Sequence, residues 1–157
     1  MPIRFLKNRS EIAEVSWESP LPVRETNRER RLVQADPLLL ATLTVDTTER
    51  DLIGNTASEI ATIANAGQYR TLIWTGVKTG TADITYTVRA RTTDADGQPL
   101  GTGWLTLTSG TIAGAAGTWF RITISQPEGL YFDQYRITVQ QTSGSQTLIS
   151  KLVGVRG

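Results

Sequence analysis

Apolar and polar residues alternate with a period of two over much of the chain beyond residue 38. In Ile84-Thr85-Tyr86-Thr87-Val88-Arg89-Ala90-Arg91, Ile84, Tyr86, Val88 and Ala90 fall on one side and Thr85, Thr87, Arg89 and Arg91 on the other. That is the pattern of a strand with one buried and one wet face. Phe120, Ile122 and Ile124 alternate in the same way with Arg121, Thr123 and Ser125, and Tyr135, Ile137 and Val139 with Arg136, Thr138 and Gln140. Extended along the chain, the pattern predicts strands near 39–46, 71–76, 83–92, 102–108, 118–125, 132–141 and 147–155. Turn residues separate them: Asp94-Ala95-Asp96-Gly97, Gln126-Pro127-Glu128-Gly129 and Thr142-Ser143-Gly144-Ser145, the last expected to close a terminal hairpin. Short strands at this spacing must cover their apolar faces with a second sheet. The expected fold is therefore all-β, a β-sandwich or jelly roll of about seven to eight strands. A helix is the alternative to a short strand or loop at 57–65, where Thr56 and Glu59 have capping-box spacing and Ala66-Gly67 could end it.

The pattern breaks down before this region. Residues 1–51 hold 17 of the 31 charged residues, together with Pro2, Pro20, Pro22 and Pro37 and the run Arg24-Glu25-Thr26-Asn27-Arg28-Glu29-Arg30-Arg31. Such a composition resists independent folding. Its apolar residues come in clusters: Ile3, Phe5 and Leu6, then Ile12, Val15 and Trp17, then Leu38-Leu39-Leu40. The reading is an extended N-terminal arm over 1–37 followed by a sandwich domain over 38–157. The arm would gain order by laying its anchors on another surface, its own domain or a neighbouring subunit. Phe5, Trp17, Arg28, Arg30 and Arg31 are its candidate partner-binding residues. Threonine marks the change of character, since 23 of 24 Thr residues lie at or beyond Thr42, among the Val, Ile and aromatic residues typical of strands.

Composition removes much of enzymology. The 157 residues include no Cys and no His, which excludes disulfides, Cys/His zinc sites, thiol nucleophiles and His-dependent triads. Sixteen basic residues against fifteen acidic give a net charge of +1, too balanced for a general nucleic-acid binder. No apolar run approaches the roughly 20 residues of a membrane span, and Met-Pro-Ile-Arg-Phe-Leu-Lys has no signal-peptide core. Neither nucleic acid nor membrane is an expected partner.

Asp94, Asp96 and Gly97 resemble the opening of a calcium loop, but a further ligand before the Gly and a bidentate Glu after it are missing, so a plain hairpin turn is expected. Six acids follow residue 51: Glu59, Asp83, Asp94, Asp96, Glu128 and Asp133. Spacing alone brings no two of them together as a glycosidase pair. No Gly-x-Ser-x-Gly elbow or Ser-x-x-Lys pair activates a hydroxyl, and the Gly-rich pieces 101–103 and 110–117 lack the Lys of a phosphate-binding loop. Glu25 and Glu29 interrupt the arginines of the arm, which favours a solvated or partner-paired role over phosphate binding. No catalytic residue, metal ligand or cofactor is expected. Trp104 and Trp119 both fall on the outward side of their strands by alternation, as candidate ligand or interface aromatics.

The succession from Ala82 to Val155 runs through Ile84–Arg91, an Asp-x-Asp-Gly turn, Gly103-Trp104-Leu105-Thr106-Leu107, Thr118-Trp119-Phe120-Arg121-Ile122-Thr123-Ile124, Tyr131-Phe132-Asp133-Gln134-Tyr135-Arg136-Ile137-Thr138-Val139 and Leu148-Ile149-Ser150-Lys151-Leu152-Val153. In strand rhythm and Thr/Gly/Trp usage it resembles the jelly-roll structural modules of tailed-bacteriophage virions, of tail, baseplate, fibre or capsid-decoration type. The resemblance implies a non-enzymatic virion protein. It would anchor by its arm in the tail or baseplate, with other virion proteins and copies of itself as partners. A capsid cement or decoration protein is the alternative, and a carbohydrate-binding module with a surface glycan as ligand the second.

Overall fold

The computed structural model describes residues 34–52, 63, 66–126 and 132–156. Eight strands lie among them: β1 (Gln34–Val45), β2 (Arg50–Asp51), β3 (Thr71–Lys78), β4 (Ile84–Arg91), β5 (Leu105–Ile112), β6 (Trp119–Ser125), β7 (Gln134–Gln141) and β8 (Gln146–Arg156). Phe5, Trp17, Arg28, Arg30 and Arg31 lie outside the described residues. So does the helix candidate at 57–65, apart from Ile63, which bridges to Tyr135.

The strands form two antiparallel four-stranded sheets in the orders β1-β8-β3-β6 and β2-β7-β4-β5. These orders follow from one operation. If the chain is laid out as a long double ribbon, β4 faces β5, β3 faces β6, β2 faces β7 and β1 faces β8. Rolling that ribbon brings β8 beside β3 and β7 beside β4, which is a jelly roll. Consecutive strands therefore change sheets at every connection except β4 to β5. The turn at 142–145 is accordingly not a hairpin: β7 and β8 belong to opposite sheets, and Gly144, at φ 73°, turns the chain across the sandwich. Periodicity reports the length and face of a strand but not its partner, which is why 142–145 reads as a hairpin turn in sequence.

Alternation places the core correctly in most strands. Leu72 and Trp74 of β3, Ile124 of β6 and Leu148 and Leu152 of β8 face Ile84, Val88 and Ala90 of β4 and Tyr135, Ile137 and Val139 of β7, all buried. Trp74 meets Tyr86 and Phe120 edge to face, with ring centroids 5.8 and 5.0 Å apart, a geometry worth about 0.5–1.5 kcal/mol per pair beyond burial. Leu105 pairs with the buried Ala90 and so keeps the inner side, yet at the start of the edge strand β5 it is 54% exposed. Val88 pairs with Thr108 but Arg89 with Thr106, so Leu107 is an extra residue in β5. Such a bulge reverses the in-and-out order across it, so Thr108, opposite the buried Val88, takes the inner side although alternation from Trp104 puts it outward.

Two buried polar groups matter to stability. Lys78 ends β3 on its inner side, fully buried, and its Nζ donates to the carbonyls of Gly80 (3.2 Å), Thr81 (3.3 Å), Ala82 (3.0 Å) and Gly114 (2.6 Å). It thereby ties the β3–β4 connection to the β5–β6 connection. Gln146 completes this end of the sandwich, donating to Ala82 and Gln141 and accepting from the Gly80 amide.

The other group is the Tyr135 hydroxyl, buried without a partner among the described residues. Burial pushes its pKa up to about 12, from 10.0. Between those two pH values the unfolded chain releases a proton that the folded chain retains. Its contribution to stability is therefore complete below pH 10 and is lost as pH rises toward 12, a difference of about 2–3 kcal/mol. Tyr135→Phe should leave stability near pH 7 unchanged or slightly raised, and should lessen its decline at alkaline pH. Urea unfolding of both proteins at pH 8 and pH 11.5 measures this, and parallel losses in the two would refute it.

Candidate functional site

The outer faces of the two sheets are chemically unlike. On the first sheet, parity turns Val77 of β3, Ile149 of β8 and Trp119 of β6 outward, and register then aligns them. Ile149 lies opposite Val77, and Val77 opposite Trp119. Leu40 of β1 extends the group to the fourth strand, and together these side chains border an apolar hollow of about 240 Å³. Leu40 is 79% exposed, Trp119 76% and Ile149 41%. Isolated exposed apolar residues are ordinary on a protein surface, but a contiguous apolar patch marks an interaction surface.

Beneath the hollow, on the inner side of β3, Gly76 carries no side chain between β8 and β6. A Cβ there would lie 2.7 Å from the Ser150 Cβ and 2.9 Å from the Phe120 ring. One step along the strands, the next row is Lys151, Thr75 and Arg121. No ion pair is found for Lys151 or Arg121 among the described residues. An apolar row thus runs beside two exposed cations. At the far end of β1, Asp36 accepts from the Tyr69 hydroxyl (3.0 Å) and pairs with Arg156, which fixes the strand that carries Leu40.

The outer face of the second sheet is polar and internally paired. Arg89 donates to Glu49 (2.9 Å) and to the Thr138 hydroxyl (3.1 Å), Arg136 pairs with the buried Asp51 (3.3 Å), and Arg91 donates to Gln134 (2.8 Å). Glu49, Thr85, Thr87, Arg89, Thr138 and Gln140 line a hollow of about 250 Å³. A hydrogen bond from the Thr138 hydroxyl, and then Arg89, hold the Glu49 carboxyl below its ordinary pKa. A carboxylate kept ionised in this way is a poor proton donor.

Sequence reasoning separates the two candidate tryptophans less sharply than the structure does. Trp119 stands exposed at the edge of the apolar row, as alternation predicts. Trp104, just before β5, is half-buried: the Arg91 guanidinium lies 4.2 Å from its ring centroid and that of Arg136 5.7 Å. This cation–π packing occupies the ring with the protein's own side chains. Asp94 is a turn residue, its Oδ1 accepting from the amides of Asp96 and Gln98, both at 2.9 Å, beside Gly97 at φ 81°. Asp133 likewise accepts from the Thr93 amide (2.9 Å). Among the described residues no group of three or more acidic side chains could hold a metal ion. Leu40 and Ile149 are the site residues that sequence reasoning misses. Their own alternation is visible, but the row they form depends on which strands become neighbours.

No family model matches the chain, and no curated protein matches it. Among solved structures it is similar to the crystal structure of PirA, at 14% identity and TM-score 0.41, over 74% of this chain and 93% of that one. It is also similar to a Bacillus endospore appendage, from a family of disulfide-linked pili, at 16% identity and TM-score 0.39, over 80% and 89% of the two chains. A third is the enzymatically active domain of tailspike protein 4 from bacteriophage CBA120, at 13% identity and TM-score 0.36, over 78% of this chain and 19% of that chain. With TM-scores below 0.5 throughout, these likenesses assign no activity.

Proposed function

We propose that the chain is a non-enzymatic structural subunit that decorates the surface of a larger particle, a tailed-phage virion, and docks through the outer face of its first sheet. The observation that supports this reading is the row Ile149, Val77 and Trp119, aligned across three strands with Leu40 bordering the same hollow from the fourth, in which Leu40, Ile149 and Trp119 are exposed. Fully burying an exposed side chain of this size contributes about 1.5–3 kcal/mol. Three or four such side chains in one row are enough to hold a subunit on a partner. The arm read from the sequence adds a second attachment, which raises occupancy through effective concentration.

Immunogold electron microscopy with an antibody to the recombinant protein tests this on particles from the source of the sequence. Head labelling supports a decoration protein, tail labelling a tail or baseplate component, and unlabelled particles refute the reading. Particles assembled with a Trp119→Ala/Ile149→Glu double variant should carry about tenfold less label or lower. A second reading, a carbohydrate-binding module, is favoured by the exposed Trp119 ring beside the apolar hollow. It predicts glycan binding that disappears in Trp119→Ala, and its absence at high micromolar protein would eliminate it.

A further inference from the structure

The apolar row is flanked by two cations, and an occupant should match both features. We propose that it seats the segment Glu11–Glu18 of a second copy of the chain, so that each copy is held by the arm of a neighbour. The inference rests on the row being a docking face, as above.

Charge selects the segment. Glu11-Ile12-Ala13-Glu14-Val15-Ser16-Trp17-Glu18 has three carboxylates and no cation, interleaved with Ile12, Val15 and Trp17. The remainder of residues 1–33 has seven cations, Arg4, Lys7, Arg9, Arg24, Arg28, Arg30 and Arg31, against two acids, Glu25 and Glu29. Only 11–18 therefore brings apolar anchors together with negative charge. The row offers the complement: Ile149, Val77 and Trp119 for the anchors, with Lys151 and Arg121 one row away, roughly 6.6 Å along the strands. The second sheet does not, because Arg89 and Arg136 are already paired with Glu49 and Asp51 and its hollow is polar. Reach also permits a neighbour: the fifteen residues between Glu18 and Gln34 span up to roughly 50 Å when extended. Exchange of identical arms between copies is a low-cost route to assembly.

The absence of native cysteine makes a cross-linking test unambiguous. A full-length Ser16→Cys chain is mixed with a full-length Thr75→Cys chain under mild oxidation, which leaves every proposed anchor in place. The expected product is a mixed dimer of roughly twice the 17.2 kDa chain mass, at about tenfold the yield obtained with Thr85→Cys on the opposite sheet. Adding Lys151→Glu and Arg121→Glu to the acceptor should abolish that excess, and Glu11→Lys with Glu14→Lys in the donor should restore it. Equal yields at Thr75 and Thr85 overturn the proposal. So does a Ser16→Cys/Thr75→Cys double variant that, mixed with excess unmodified chain, closes only within itself. If cross-linking fails while the Trp119→Ala/Ile149→Glu variant still loses its place on particles, the docking face stands and this occupant falls. If that variant incorporates normally, the docking face itself falls.

Discussion

Lys78→Met should lower stability by about 3 kcal/mol, because it strands several buried carbonyls, and leaving a buried acceptor unsatisfied costs about 1–3 kcal/mol. A buried ion pair can often be replaced by apolar residues at little cost, but only when both partners go. Here the acceptors found among the described residues are four backbone carbonyls, of Gly80, Thr81, Ala82 and Gly114, and no side-chain substitution removes them. Methionine fills a similar volume and leaves all four without their donor. The two connections joined by Lys78 should then separate, so protection of nearby amides against hydrogen exchange should fall before global unfolding. Urea unfolding gives the total, and a loss under 1 kcal/mol would mean that the ammonium is dispensable.

Gly76→Ala should lower stability by about 3 kcal/mol, at the upper end of the range for overpacking a core. The added methyl would meet the Ile149 carbonyl and the Ser150 and Phe120 side chains. The first of these is backbone of the neighbouring strand, so relief requires β8 to move away from β3. That movement would displace Ile149 from its position opposite Val77 and disturb the apolar row. The variant should therefore lose docking in proportion greater than its loss of folded protein. Gly101→Ala is the control, since a Cβ there meets nothing within 4 Å, and it should change stability by less than about 0.5 kcal/mol. Equal midpoints for the two variants in thermal unfolding would show that the sheet absorbs the methyl.

Both effects come from residues whose orientation is legible in the sequence but whose surroundings are not. Alternation through Leu72, Trp74, Gly76 and Lys78 puts all four on the inner side of β3. Nothing local shows that Lys78 will find a carbonyl 36 residues away, or that Gly76 will sit where two neighbouring strands close in. The same holds for the site. Val77 and Trp119 are outward by parity, yet the alignment of Val77 with Ile149 follows from β8 and β3 becoming neighbours.

By itself, the sequence determined the all-β class, the approximate position of seven of the eight strands and the inward face of most of them. These depend on a side-chain period of two, a property of residues two apart in the chain. Tertiary structure decided which strands pair, that 142–145 crosses between sheets, that a bulge at Leu107 turns Thr108 inward, and that four separate apolar residues come together on one face. Those outcomes are set by contacts between residues tens of positions apart, where packing of the whole ribbon, rather than local preference, selects the neighbour.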